Sequence, residues 1–408
     1  MRKYSILRDL SRARTAQPFD VGPVAPGPLG AEAGSRMAAP FSEPKIEVGE
    51  LSKRELRDVA RDPEVQAVAP VIPITLIWPV EGPLDGQEGR QPEAAATATW
   101  GVSAVGADLS LRSGAGTVVA VLDTGIDATH PAFSGASLVE EDFSGSGNGD
   151  VQGHGTHCAG TIFGRDVEGL RIGVAPGVDR ALIGKVLDDD GRGDSEMLFR
   201  GVQWAAQEGA HVLSMSLGFD FPGLVKELTD GGWPADLATS AALEGYRANL
   251  RMFDALMQMI RSRAAFGTGT IVVAAAGNES QRHVNPDHEI SVSLPAAAEG
   301  VVSVGALGEA AGGLEVASFS NTFPQVSAPG VDVLSAATGG GLRSLNGTSM
   351  ATPHVAGVAA LWWEDVLASA LPATASVVTA RLLAHAVIDV FADGVDVADR
   401  GSGLVRAP

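Results

Sequence analysis

Five short runs of apolar residues, each the length of one strand, constrain the fold more than any other feature. They are TVVAVLD (117–123), VDRALIGKVL (178–187), HVLSMSL (211–217), TIVVAAAG (270–277) and VVSVGAL (301–307). The runs are continuous rather than alternating, and strands that are apolar on both faces belong in a parallel sheet covered by helices on both sides. Helical segments are predicted at 154–163, 196–208, 241–265 and 349–363. The sequence therefore predicts an α/β domain with an open, mostly parallel sheet and helices on both faces.

The composition along the chain divides it into parts. A chain of 408 residues is long enough for one large α/β domain and a smaller module. Ser52 followed by Glu55 has the spacing of a helix-starting capping box inside a segment that otherwise has strand-like runs. Pro/Gly-rich stretches on either side have the composition of flexible segments. The predicted parts are a flexible N-terminal lead (1–43), a small α+β module (44–78), a linker (79–99) and a large α/β domain (100–408).

Charge and cysteine content exclude several classes of protein. The formal net charge of −20 disfavours a nucleic-acid or anionic-membrane partner. The single cysteine, Cys158, excludes an intrachain disulfide framework and a Cys-rich zinc module. No apolar run reaches the roughly 18 residues of a membrane span. Arg8, Asp9 and Arg12 interrupt the N-terminal segment, so no conventional signal peptide is recognised, and we expect a cytoplasmic or non-classically exported protein.

One candidate catalytic residue ends the first apolar run, and a second follows it. Asp123 ends that run, at the edge of a parallel sheet where reactive groups collect, although a loop-capping carboxylate is the alternative. The sequence DTG could also indicate an aspartic protease, but no second DTG or DSG supplies the other carboxylate. His154, in GDVQGHGTHCAG, is a candidate base, and His157 a packing or orienting residue. A metal site formed by both histidines lacks a third nearby His or Cys ligand.

Two further candidates could stabilise a transition state. Ser349 lies at the start of an apolar helix, where free amides favour negative charge. A serine whose own N–H faces a developing oxyanion meets the requirement of acyl transfer. Asn278 follows the run at 270–277, and its amide could be a second oxyanion donor. The alternatives are an ordinary N-cap serine and a turn asparagine.

Taken together, the motifs resemble a known family. The blocks DTGIDATHP, GHGTHCAG, SMSLG, AAAGNES and NGTSMATPHVAG resemble, in this order, the signature blocks of subtilisin-like serine proteases, the subtilases. The resemblance extends over about residues 100–407, and the HCAG variant is similar to proteinase K and thermitase. It implies a serine endopeptidase that forms an acyl-enzyme and requires no cofactor for its chemistry. Asp123 would orient His154, His154 would deprotonate Ser349, and Asn278 would bind the oxyanion.

The resemblance also implies how a peptide substrate is held. The peptide would add as an extended strand between two backbone segments, Gly191-Arg192-Gly193 and Ser216-Leu217-Gly218. The pocket for the side chain before the cut would be formed by Ala275-Ala276-Gly277 and the segment around Ser293. The acidic run at 188–190 is either a solvated turn or a preference for basic residues upstream of the cut. The connection between Gly218 and Thr270 is longer than in simple subtilisins, and we interpret the part that precedes its helix, including residues 220–234, as a lid or rim loop beside the cleft.

Two further expectations concern calcium and activation. The aspartate that many relatives use as a calcium ligand is Ala132 here, which argues against that site and leaves other calcium sites open. The module at 44–78 resembles an inhibitory propeptide and predicts a zymogen that cuts itself within 77–99. An accessory domain is the alternative. For the whole chain, the alternatives are a dedicated peptide-maturation protease and an inactive peptide-binding relative.

Overall fold

A computed structural model describes residues 2–11, 44–80, 96–263 and 268–408. Its strands are β1 Arg2–Asp9, β2 Pro44–Leu51, β3 Val65–Pro70, β4 Pro73–Leu76, β5 Val118–Asp123, β6 Ser137–Asp142, β7 Arg180–Lys185, β8 Arg192–Asp194, β9 Val212–Met215, β10 Leu217–Phe219, β11 Ile271–Ala275, β12 Val301–Ala310, β13 Gly313–Val316, β14 Val326–Pro329, β15 Val333–Ala336 and β16 Leu342–Leu345. Its helices are α1 Lys53–Val59, α2 Trp100–Ala104, α3 His154–Phe163, α4 Ser195–Gln207, α5 Phe221–Asp230, α6 Ala235–Arg263, α7 Thr348–Leu367, α8 Ala375–Ala384 and α9 Val397–Arg400, with a 3-10 turn at Pro131–Phe133.

The central sheet has the order β13-β12-β11-β9-β5-β7-β6, and β14 also pairs with β12. Its pairs are parallel except for β12 with β13, which confirms the predicted α/β fold. Each of the five apolar runs contributes a strand, because valine- and isoleucine-rich strands fit a sheet covered on both faces. The run at 211–217 breaks at Ser216, so that it contributes β9 to this sheet and begins β10 in another.

Helices cover both faces of this sheet and place the catalytic candidates at one edge. One core cluster includes residues of α3 and α7, and the other includes residues of α4 and α6. Since parallel strands share one direction, the carboxyl ends of β5, β9 and β11 lie at the same edge. Among the described helices, none combines the length and apolar character that a bilayer span requires.

The N-terminal module begins earlier than the sequence predicts. Strand β1 lies between β2 and β3 in a three-stranded sheet, so residues 2–9 belong to the module and the predicted lead at 1–43 is wrong for them. The strand was missed because its charged residues conceal its buried ones, Ile6 and Leu7. Arg8 binds the carboxylates of Glu47 at 2.8 Å and Asp62 at 2.6 Å. The remainder of the predicted lead, from residue 12, lies outside the described residues.

The structure confirms the predicted capping box but contains a helix within the predicted loop at 220–234. The Ser52 hydroxyl and the Glu55 carboxylate cap α1 reciprocally, which confirms the capping box. Residues 221–230, predicted as a loop, form α5, whose start is capped by Asp220. A proline in the first turn of α5 is compatible with the helix because no amide partner is required there. The linker predicted at 79–99 lies outside the described residues from 81 to 95.

The module packs against helices α4 and α6 of the large domain. The Ile46 N–H donates to Gln203 Oε1 on α4 at 2.8 Å. On α6, the buried Asn249 Nδ2 donates to the carbonyl oxygen of Pro70 at 2.9 Å. The apolar side chains of Leu7 and Ile46 belong to the same core cluster as residues of α4 and α6. The module and the large domain therefore share one packed interface.

Candidate active site

An aspartate and a histidine form a buried pair at the carboxyl edge of the central sheet. Asp123 is the last residue of β5 and His154 the first residue of α3, and each side chain is 1% exposed. His154 Nδ1 lies 2.8 Å from Asp123 Oδ1 and 3.0 Å from Oδ2. In a neutral ring the proton must sit on Nδ1 to donate to the carboxylate, which leaves Nε2 as an acceptor. Burial opposes the charged form of His154, but the Asp123 carboxylate holds the pKa of His154 well above its usual 6.5.

The serine lies beside this pair, but its hydroxyl is not hydrogen-bonded to the imidazole. Ser349 is the second residue of α7, and its hydroxyl donates to the carbonyl oxygen of Ile77 at 2.9 Å. His154 Nε2 has no hydrogen-bond partner among the described residues. The Sγ atom of Cys158 lies 3.7 Å from His154 Nδ1 and 3.5 Å from the carbonyl oxygen of Ser349. The carboxylate, imidazole and hydroxyl are therefore neighbours, with the hydroxyl turned towards the N-terminal segment.

Asn278 has a fixed orientation in this cleft. Its Oδ1 accepts from the backbone N–H of Thr348 at 2.9 Å and from the Thr348 hydroxyl at 2.8 Å. Its Nδ2 donates to the carbonyl oxygen of Trp78 at 2.9 Å. Because Thr348 uses the oxygen of the amide, the NH₂ group faces the N-terminal segment. An amide held in this way is a pre-oriented donor for a carbonyl oxygen.

Strand β4 of the N-terminal segment lies antiparallel between β10 and β8. Thr75 is paired with Gly218 on one side and Arg192 on the other. The Leu76 N–H donates to the Gly191 carbonyl oxygen at 2.9 Å. A Cβ atom at Gly193 would lie 2.4 Å from the Val186 carbonyl oxygen. The predicted peptide-holding residues that flank this strand are Gly191, Arg192, Gly193, Ser216, Leu217 and Gly218.

The predicted pocket residues also lie together. The Ser293 N–H donates to the Ala276 carbonyl oxygen at 3.0 Å, which ties the segment around Ser293 to the Ala275-Ala276-Gly277 wall. Gly277 has a φ of 112°, and a Cβ there would lie 2.3 Å from Asn321 Nδ2 and from Glu279 Oε2. Asn321 Nδ2 donates to the Ala276 carbonyl oxygen at 3.0 Å. The sequence reasoning missed Asn321, since nothing near it in the chain indicates a partner 45 residues away.

Comparison with known proteins decides the family. The family model described as the subtilase family matches residues 114–402. The chain belongs to the subtilase family. It is 35% identical to a thermostable alkaline protease of Halalkalibacterium halodurans over 329 residues, which are 79% of this chain and 73% of the relative. It is 38% identical to subtilisin BL of Lederbergia lenta over 270 residues, 64% of this chain and 82% of the relative.

An intracellular serine protease of Paenibacillus polymyxa is a further relative, 34% identical over 256 residues, which cover 61% of this chain and 67% of the relative. The chain is thus a subtilisin-like serine protease, a hydrolase, as the five sequence blocks imply. Protein substrates and the absence of a cofactor requirement for catalysis follow from this family.

The acidic residues at 188–190 stabilise the turn in which they lie. Asp189 pairs with the Nζ atom of Lys185 at 2.7 Å, and Lys185 is 2% exposed. The Asp188 carboxylate accepts from the backbone N–H groups of Asp190 and Arg192 at 3.0 and 2.9 Å. Two of the three carboxylates are thus engaged in the structure of the turn. This arrangement favours the solvated-turn interpretation over a preference for basic residues.

The surroundings of Ala132 argue against the usual calcium site. Ala132 is fully buried and offers no side-chain oxygen. The Arg165 guanidinium donates to the carbonyl oxygens of Phe163 and Val178, at 3.1 and 3.2 Å. The Arg171 guanidinium donates to two more, those of Gly173 and Val174, at 3.1 and 2.9 Å. Two cationic side chains thus lie on carbonyl oxygens of this region, which disfavours a further cation beside them, and no step of the chemistry is assigned to a metal here.

The two histidines of the GHGTH block do not face a common ligand. His157 Nε2 lies 3.0 Å from the carbonyl oxygens of Val333 and Arg343, in the hairpin of β15 and β16. Burial and the neighbouring His154 lower the pKa of His157 to about 3, so its ring is neutral near pH 7 and donates to these oxygens. His157 therefore fastens α3 to the hairpin, as an orienting residue.

Proposed function

We propose that this subtilase is a serine endopeptidase that works through Asp123, His154 and Ser349. The proposal rests on the buried Asp123–His154 pair and on the position of Ser349 at the helix start beside it. For catalysis the Ser349 hydroxyl turns from the Ile77 carbonyl oxygen to His154 Nε2. In that orientation Nε2 accepts the hydroxyl proton while Oγ attacks the carbonyl carbon of the peptide bond.

The developing negative charge is stabilised by two N–H donors. These are the Asn278 side chain, held by Thr348, and the backbone N–H of Ser349 at the start of α7. His154 then donates its proton to the leaving amine, and the carbonyl carbon remains bound to Ser349 Oγ as an acyl-enzyme. Water, deprotonated by His154, attacks the ester and releases the carboxylate. Asp123 keeps the ring oriented and stabilises its charged form throughout.

The chain is further proposed to be a zymogen inhibited by its own N-terminal module. The observation that supports this is the hydrogen bond of 2.9 Å from the Ser349 hydroxyl to Ile77 O, in a segment that continues from β4. A peptide between β8 and β10 occupies the place that a substrate strand would take. The module anchors this peptide because it packs on α4 and α6. Removal of the module after cleavage would open the cleft.

The connection at 220–234 is proposed to shape the rim of the cleft. Its backbone is next to the bound strand, since the Asp220 N–H donates to the Pro73 carbonyl oxygen at 3.2 Å. The rings of Phe219 and Phe221 both pack edge-on against Tyr246, at centroid distances of 6.5 and 6.1 Å. These aromatic contacts couple the rim to α6. A variant without residues 220–234 should cut a broader set of peptides.

Labelling by a fluorophosphonate tests the proposed function. The matured chain should be labelled at Ser349 and should digest a denatured protein, whereas Ser349→Ala should do neither. A folded chain that binds peptides without being labelled would be an inactive peptide-binding relative instead. Cut-site profiling on a denatured protein mixture separates the remaining alternative, because a dedicated maturation protease would cut at very few sites.

A further inference from the structure

We propose that Ile77–Trp78 is the peptide bond that the chain cuts to mature itself, an inference that rests on the proposed function. The residues before this bond are aligned in the cleft by consecutive backbone contacts. Thr75 pairs with strands on both sides, the Leu76 N–H donates to Gly191 O, and the Ile77 N–H donates to Ser216 O at 3.4 Å. The next polar atom, Ile77 O, receives the Ser349 hydroxyl at 2.9 Å. The register thus delivers the Ile77 carbonyl to the nucleophile.

Burial of the side chains changes at the same bond. Leu76 and Ile77 are 1% and 5% exposed, whereas Trp78 is 51% exposed. The cleft therefore encloses the apolar side chains that precede the bond and leaves the one that follows it half exposed. Burial of these two apolar side chains favours a single register of the segment over neighbouring ones.

The competing bond is Trp78–Pro79, because Asn278 Nδ2 donates to the Trp78 oxygen at 2.9 Å. If the Trp78–Pro79 bond were cut, the nitrogen that leaves would be that of Pro79, which carries a ring carbon in place of hydrogen. In catalysis the Ser349 hydroxyl and the Asn278 amide act on the same carbonyl. In the resting structure they bind two successive ones, Ser349 the carbonyl of Ile77 and Asn278 that of Trp78. Reaction at Ile77 requires the Asn278 amide to pass from the oxygen of Trp78 to that of Ile77. This rearrangement must precede the first cut.

The proposed cut is an ordinary acyl transfer followed by hydrolysis. Ser349 Oγ forms a bond to the Ile77 carbonyl carbon, and the bond from that carbon to the Trp78 nitrogen breaks. The serine proton passes through His154 to this nitrogen, which becomes the new N-terminal amine. Water then cleaves the ester, leaving a carboxylate on Ile77. The products are a fragment that ends at Ile77 and a catalytic fragment that begins at Trp78.

The first cut of the full chain tests this assignment. The chain is diluted so that cutting is intramolecular, and the earliest fragments are identified by intact mass and N-terminal sequencing. We expect a fragment ending at Ile77 and one beginning at Trp78, and no cut in Ser349→Ala. The variant Pro79→Ala should be cut at the same bond and within about twofold of the original rate, because its nitrogen is not the leaving group. A first cut after Trp78 in either protein would overturn the proposal.

Two side-chain variants test the register. Ile77→Asp should slow the first cut by about 100-fold or more, since a carboxylate would have to enter an apolar, enclosed position. Trp78→Ala, at the exposed position, should be cut at the same bond at a similar rate. Fluorophosphonate labelling of each sample separates the two hypotheses. If the protein is labelled but remains uncut, or is first cut at another bond, only the assigned bond is contradicted. If the folded chain is neither cut nor labelled, the proposed function is contradicted as well.

Discussion

The hydroxyl of Ser349 donates its hydrogen bond to the carbonyl oxygen of Ile77, 272 residues away in the chain. While that bond lasts, His154 Nε2 has no partner among the described residues, and the proton of the nucleophile is directed away from the base. The same segment also occupies the amide of Asn278 through the carbonyl of Trp78. One stretch of apolar peptide thus engages both the nucleophile and the proposed oxyanion donor.

The first prediction concerns Asn278. Replacing it with alanine removes the side-chain donor, and we expect kcat to fall by about 10²–10³ with little change in KM, because the contact strengthens in the transition state. The measurement is hydrolysis of a chromogenic peptide by the matured protein.

Thr348→Val is the companion variant, because it removes the hydroxyl that holds Asn278 Oδ1 but keeps the amide itself. We expect a smaller loss of kcat than in Asn278→Ala. If KM of Asn278→Ala rises by as large a factor as kcat falls, or if kcat does not fall at all, this amide does not bind the oxyanion.

The second prediction concerns the pH dependence of kcat/KM. The pKa of His154 is raised by Asp123, and only the neutral ring can accept the serine proton, so activity is lost as pH falls through the raised pKa. We therefore expect the acidic limb of the profile to have a midpoint above 6.5. A midpoint at or below 6.5 would contradict the raised pKa of His154.

Asp123→Asn provides the matched control for that profile. Burial lowers the pKa of His154, and without the Asp123 carboxylate the largest opposing influence is lost, so the acidic limb should move to lower pH. The same change should reduce kcat by about 10⁴, since the ring loses the partner that fixes its tautomer. An acidic limb that stays in place in this variant would assign it to another group.

The contrast between α3 and the N-terminal segment shows what the sequence could predict. The bounds of α3 were predicted correctly, because apolar residues continue between the flanking glycines Gly153 and Gly164. Strand β1 was missed, since its pairing partners in β2 lie 35 residues further along the chain or more. The contact of Ile77 with Ser349 has no sequence signature at all. It depends on the register of β4 between β8 and β10, which only tertiary packing determines.

The third prediction concerns the interface between the module and α6. Asn249→Ala removes the buried hydrogen bond to Pro70 O and leaves that oxygen without this donor, which should cost about 1–3 kcal/mol of docking energy. We expect the lag before peptide hydrolysis to shorten when the full chain is diluted, because the cut module dissociates faster. Ser240→Ala, at an exposed position of the same helix, should keep the original lag. A lag unchanged in Asn249→Ala would mean that this contact does not retain the module.

The fourth prediction concerns the loop that carries Arg165 and Arg171. Since their guanidinium groups use carbonyl oxygens of this region, adding calcium in place of excess EDTA should change the Tm of the Ser349→Ala chain by the same amount with and without Arg171→Ala. Arg171→Ala should lower the free energy of unfolding by about 1.5–3 kcal/mol, as charged hydrogen bonds are lost. If calcium instead raises the Tm of Arg171→Ala to the value of its parent, the loop is a cation site.

The last prediction concerns His354, a buried residue of α7 to which no step of the proposed chemistry is assigned. Its Nδ1 lies 2.9 Å from the Met350 carbonyl oxygen, and burial lowers its pKa to about 4. The unfolded chain binds a proton here below about pH 6.5, whereas the folded chain binds it only near pH 4. Folding is therefore weakened as pH falls through this window, by about 1.4 kcal/mol per pH unit at most.

His354→Gln should remove this contribution. In the Ser349→Ala background, which prevents self-digestion, the slope of the unfolding free energy between pH 6.5 and 5 should become smaller by up to that amount. Urea titrations at several pH values give the slope, and His283→Gln, in an exposed loop, controls for the substitution itself. If His354→Gln retains the slope of its parent, the proton responsible for it binds elsewhere, and the buried ring of His354 is not what limits stability in mild acid.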